Sequence, residues 1–126
     1  MRRLSLFLCL LPSFLHSQEH IAPTDPLSPQ EERKTFKVPD GFEVQLVASE
    51  PDILKPMQMS FDARGRLWVT TSQEYPFAAE GRPGRDKLFV LEDFDATGKA
   101  KKITTFADDL NIPIGVLPLP SGNEVI

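Results

Sequence analysis

The side chains able to do chemistry in this chain are few, and they are unevenly placed. Cys9 is the single cysteine, and the two histidines, His16 and His20, both lie near the N-terminus. Beyond them no Ser-His-Asp triad, Cys-His pair or thiolate zinc site can be assembled. Neither a GxGxxG nor a Walker pattern is present, so no glycine-rich phosphate loop is expected. Chemistry must rest on carboxylates, amides and Tyr75, or on residues beyond Ile126. One candidate is Gln73-Glu74-Tyr75, where the chain leaves its strongest apolar run for its longest loop. These three can hydrogen-bond a sugar or a quinone, and they read equally as a polar surface loop in which Tyr75 and Pro76 pack locally. A second candidate is Asp93-x-Asp95-x-Thr97-Gly98. Oxygen ligands at alternate positions can converge on a calcium ion, with glycine permitting the sharp turn. The twelfth place, where a bidentate Glu would complete such a loop, holds Thr104. The plainer reading of Asp93, Asp95 and Thr97 is a hairpin turn.

Short strands must position these groups, because 12 prolines in 126 residues leave little room for long helices. Ser28-Pro29-Gln30-Glu31 opens a short helix over Pro29–Lys34: Ser28 can cap, Pro29 suits the first helical position and Glu31 completes a capping box. Val38-Pro39-Asp40-Gly41 is a turn. From Phe42 the apolar period becomes two, and Phe42, Val44, Leu46 and Ala48 predict a half-buried strand. Four antiparallel strands are expected between Met57 and Phe106, at 57–61, 67–71, 87–91 and 102–106. The long loop 72–86 and the polar turn 93–99 interrupt them. Phe61, Trp68, Phe89 and Phe106 are expected in the core, Arg64 and Arg66 in solvent beside their turn. Lys99, Lys101 and Lys102 are expected to form a solvated strand edge that discourages aggregation.

The chain also echoes itself. Pro56 and Pro113 are 57 positions apart, as are the turn glycines Gly65 and Gly122. On that offset Met59 falls on Val116, Trp68 on Val125 and Val69 on Ile126. A repeat of this size holding four strands matches the blade of a β-propeller. The expected fold class is therefore all-β: an incomplete propeller of about one and a half blades, ending inside the second strand of a second blade. The 42–47 strand would close the ring in a complete propeller.

Charge and targeting bound the rest. Arg2 and Arg3 precede an apolar run, Leu4 to Leu15, followed by the small residue Ser17. That order is a signal peptide's, and the run is too short to span a membrane. Residues 1–17 are thus expected to be a signal peptide, 18–40 a linker with the short helix, and 41–126 the propeller fragment, exported to the periplasm or beyond. Cleavage after Ser17 takes the net charge from −4 to −6 and removes Cys9, leaving no thiol chemistry. No basic patch is dense enough for nucleic acid.

The run LSPQEERKTFKVPDGFEVQLVASEPDILKPMQMSFDARGRLWVTTSQEYP, with the later KLFVLEDFDATGKAKKITTFADDLNIPIGVLPLPSG, resembles the opening of secreted planctomycete-type proteins described as membrane-bound dehydrogenases. The resemblance covers about Leu27 to Ile126. It implies a propeller similar to those of soluble quinoprotein glucose and sorbosone dehydrogenases. It further implies oxidation of a sugar substrate by pyrroloquinoline quinone, with calcium and an electron acceptor in the full-length protein. The chain departs from the pattern at Thr71, where members often carry Glu, and at Asp93-Phe94-Asp95-Ala96-Thr97-Gly98, where they often carry an acidic DxDGDG turn. The histidine and arginine expected at the quinone would lie downstream. Two other readings stay open: a non-catalytic envelope propeller binding carbohydrate or protein, and a truncated fragment without function.

Overall fold

The computed structural model describes residues 24–126. The expected signal peptide, with Cys9 and both histidines, lies outside them. The described residues are all-β apart from one short helix, α1, Pro29–Arg33. Its start is the expected capping box: the Ser28 hydroxyl accepts from the Glu31 amide, and the Glu31 carboxylate accepts from the Ser28 amide at 3.1 Å. Among the described residues no helix is long and apolar enough to cross a membrane.

Four strands form one antiparallel sheet in sequence order: β1, Pro56–Phe61; β2, Leu67–Thr71; β3, Asp86–Phe94; β4, Ala100–Leu110. The first two match expectation closely, because the turn at Asp62–Gly65 fixes their register. β3 and β4 run several residues further than their apolar cores, because the tight Asp95–Lys99 turn lets the ladder continue through polar positions such as Glu92↔Lys102. Lys99, Lys101 and Lys102 are exposed on and beside edge strand β4, as expected, and Lys102 is also bonded to Glu92 at 2.5 Å.

Alternation divides the sheet into two apolar faces. One buries Leu67, Val69, Leu91 and Ala100 with Ile53; the other buries Trp68, Leu88 and Val90. The expected strand at 42–48 is not part of the ladder. That stretch is an extended arm on the first face: Val47 and Ala48 pack against its core, and the Val47 carbonyl accepts from the Ala100 amide at 3.0 Å. Its alternating apolar residues cover a sheet face rather than pair with an edge. The second face is covered by the chain after β4, with Val116 and Val125 against the Trp68 cluster. There Pro118 and Val125 form an antiparallel bridge, and Leu117 and Ile126 exchange both backbone bonds.

Two expected core aromatics are largely outside. Phe61 is 64% exposed and Phe106 43%, whereas Trp68 is fully buried. Phe61 lies on edge strand β1, opposite Leu67. Phe106 falls at the register shift between Leu88 and Phe89 and meets Trp68 edge-on at 4.8 Å.

Candidate functional site

Strand direction gathers three connections at one end of the sheet: the entry to β1 (Glu50–Lys55), the β2–β3 loop (Ser72–Arg85) and the exit from β4 (Asn111–Pro113). The β2–β3 loop holds Gln73, Glu74 and Tyr75, and it is organised from below by Asp86. This fully buried carboxylate accepts the Gln73 and Glu74 amides on one oxygen and the Ile112 amide, at 2.7 Å, on the other. It thereby ties the loop to the exit of β4. Gly84 lies so close to the Leu110 carbonyl that any Cβ would clash with that backbone, and Asn111 Oδ1 accepts from the Ala79 amide.

Glu74 is a second anchor rather than a surface residue. It is buried. Its Oε1 accepts from Arg82 Nη1 at 2.8 Å, Arg85 Nε at 2.8 Å and the Arg85 amide at 3.0 Å; Oε2 accepts from Arg82 Nη2 at 2.6 Å. The Arg82 and then the Arg85 hydrogen bonds outweigh burial and hold the carboxyl at about 2, down from 4.5. Gln73 spends its amide nitrogen on the Arg85 carbonyl. Tyr75 is 61% exposed. The loop thus brings Gln73 and Glu74 into one network but sends Tyr75 outward. Thr71, where the resemblance led one to look for Glu, is buried, its hydroxyl accepting from the Lys87 amide at 2.9 Å. Beside the network a cleft of about 220 Å³ opens between Glu50, Leu54, Lys55, Gln73 and Arg85.

Asp93, Asp95 and Thr97 sit at the opposite end of the sheet. Asp95 Oδ1 accepts from the Thr97 amide and hydroxyl, at 2.8 and 2.6 Å, and from the Lys99 amide. The Thr97 bonds lower its pKa more than burial raises it. Asp93 takes a left-handed backbone, φ 56°. These bonds are those of a β3–β4 hairpin turn. Among the described residues no group of three or more His, Cys, Asp or Glu stands together to hold a metal ion.

A further polar network joins the two turns of the repeat. Asp62 Oδ1 accepts the Arg64 and Arg66 amides, and Oδ2 accepts Arg66 Nε at 2.7 Å and Trp68 Nε1 at 2.9 Å. Burial pushes its carboxyl up, but the Trp68 and Arg66 bonds prevail and hold it at about 2. Arg66 then lies 5.4 Å from the Trp68 ring centre and donates to the Gly122 carbonyl, while Arg64 Nη2 donates to the Ser121 carbonyl at 3.0 Å. Arg64 is exposed, as expected, whereas Arg66 is half-buried; both clasp the second turn. Asp62, Asp86 and Arg82 went unread in the sequence. The one available signal was an acidic residue at the boundary of an apolar strand, which Asp62 and Asp86 share.

No curated protein and no solved structure matches the chain. The profile of a family described as "Domain of unknown function (DUF7133)" matches residues 28–126. That span runs from the cap of α1 through the whole sheet and the clasped second turn, so the chain belongs to this family.

Proposed function

We propose that this domain is one blade, with the first hairpin of the next, of an exported β-propeller whose loop end receives a sugar for oxidation by a quinone cofactor. The observation that carries the propeller is the clasp. Gly65 and Gly122 occupy equivalent turns 57 positions apart, and the second turn stacks against the first through Arg64 and Arg66. Radial repetition puts equivalent turns of successive blades side by side in this way. The arm at 42–48 packs Val47 and Ala48 on the opposite face, where a preceding blade would stand. Export is supported by the order of charge, apolar run and small residue over 1–17. The dehydrogenase reading is supported by the resemblance of the segment from Leu27 onward.

In such chemistry the quinone, when bound, accepts a hydride from the sugar carbon, and the protein supplies orientation and a base. Glu74 is not suited to be that base. Its lone pairs are filled by two arginines, and a carboxyl near 2 is too weak a proton acceptor at neutral pH. What Glu74 and Asp86 do is hold the loop rigid over the end of the sheet. This favours, as a second reading, a propeller that binds carbohydrate without acting on it. The two separate in one experiment. The full gene product, supplied with pyrroloquinoline quinone, calcium and a dye acceptor, is expected to bleach the dye with at least one sugar of a panel. Sugar binding by calorimetry with no bleaching by any sugar would sink the enzyme and leave the binding module.

A further inference from the structure

We propose that the cleft between the entry to β1 and the β2–β3 loop binds an anionic sugar, its carboxylate or sulfate meeting Lys55 and Arg85. Gln73 and Glu50 would accept its hydroxyls. This rests on the carbohydrate reading above and names the substrate class.

Two cations on the rim are available to a ligand. Glu74 occupies Arg85 Nε and the Arg85 amide, which fixes the guanidinium while leaving both Nη nitrogens unbonded among the described residues. Such a pinned, outward-facing fork matches the two oxygens of a carboxylate or sulfate. Lys55 forms no ion pair among the described residues. Its backbone is left-handed at φ 44°, an uncommon conformation for a non-glycine residue, and its carbonyl is held by the Ser72 amide at 3.0 Å. Strain of that kind is a pointer to function when observed.

The other two polar residues of the cleft refine the ligand. Gln73 donates to the Arg85 carbonyl, and its Oε1 accepts no hydrogen bond among the described residues. Glu50 adds a carboxylate to the same cleft. A bare anion such as phosphate would be repelled by Glu50, whereas a sugar acid offers hydroxyl donors to it and a negative group to the cations. The volume, about 220 Å³, lies below the range of drug-sized ligand pockets and suits a single ring.

The test uses Lys55→Asn, since asparagine accepts the left-handed backbone and lacks the ammonium. Binding of glucuronate, galactose 6-sulfate, glucose and pyrroloquinoline quinone to the full chain would be followed by calorimetry at low and high salt. Glucuronate or the sulfated sugar should bind more tightly than glucose. Lys55→Asn should weaken that binding about tenfold, as the loss of one charge-assisted hydrogen bond would. High salt should weaken it too, and glucose binding should not change. The stronger of the two acidic ligands identifies carboxylate or sulfate. Binding of both acidic sugars no tighter than that of glucose, or acidic-sugar binding untouched by Lys55→Asn, overturns the proposal. Binding of the quinone alone that Lys55→Asn abolishes also overturns it, assigning the cleft to the cofactor. Acidic-sugar binding without dye reduction leaves this site standing and removes the enzyme, so the two failures are distinct.

Discussion

Two carboxylates contribute most clearly to how this domain meets acid. Glu74 and Asp62 both sit at about 2 in the folded chain, against ordinary values of 4.5 and 3.8. A carboxyl depressed on folding stabilises the native state above its unfolded pKa, and that contribution is lost as pH falls through the folded value. The unfolded chain takes up more protons over this window, so stability should fall between about pH 5 and pH 2. Glu74→Gln should lower the urea midpoint at pH 7, because two arginines lose their common acceptor, and should flatten the acid slope. A slope as steep as wild type's would show that Glu74 carries none of the dependence. The identity of these residues was plain in the sequence. Their partners were not: Arg82 and Arg85 come within reach of Glu74 only once the loop folds back, with Gly84 against the Leu110 carbonyl.

At the level of elements, the hairpin after β4 depends on its turn. Gly122 has φ 71°, and a Cβ there would press on Arg66 Nη2 and the Arg64 guanidinium. Gly122→Ala should cost about 1–2 kcal/mol from backbone conformation alone and dislodge the clasp. Hydrogen exchange at the Leu117, Leu119 and Ile126 amides should then quicken by about tenfold or more, while amides of β2 and β3 stay protected. Unchanged exchange would mean that the turn does not hold the hairpin. The capping box, the first two strands and the Gly65 turn were legible because each is a local pattern of neighbours in sequence. The arm at 42–48 was misassigned as a strand for a physical reason: period-two alternation marks extended chain with one buried side, and a segment lying flat on a sheet meets that description as well as a paired strand does.

For the molecule as a whole, the sheet is covered unequally. Met59 and Phe61 share the face of Val69 and Leu67 yet are 63% and 64% exposed, and Phe42 in the arm is 73% exposed. In and just before the C-terminal hairpin, Ile126 and Ile114 are 78% and 77% exposed. Exposed apolar surface of this kind marks places where another surface docks. Sedimentation of the chain should therefore show average mass rising with concentration, and Phe61→Glu should reduce the rise. A mass independent of concentration would mean that these faces need no cover.

The sequence by itself determined the all-β class, the order of the strands, the helix cap and the glycine turn at Gly65, since each follows from which side chains alternate and which backbones can turn. Tertiary structure alone decided what the polar residues do. It turned Glu74 inward and Tyr75 outward, brought Arg64 and Arg66 onto a turn some 57 positions away, and set Lys55 beside Arg85. Such pairings arise between segments distant in the chain, where the direction of a side chain depends on the path of a loop that no local pattern encodes.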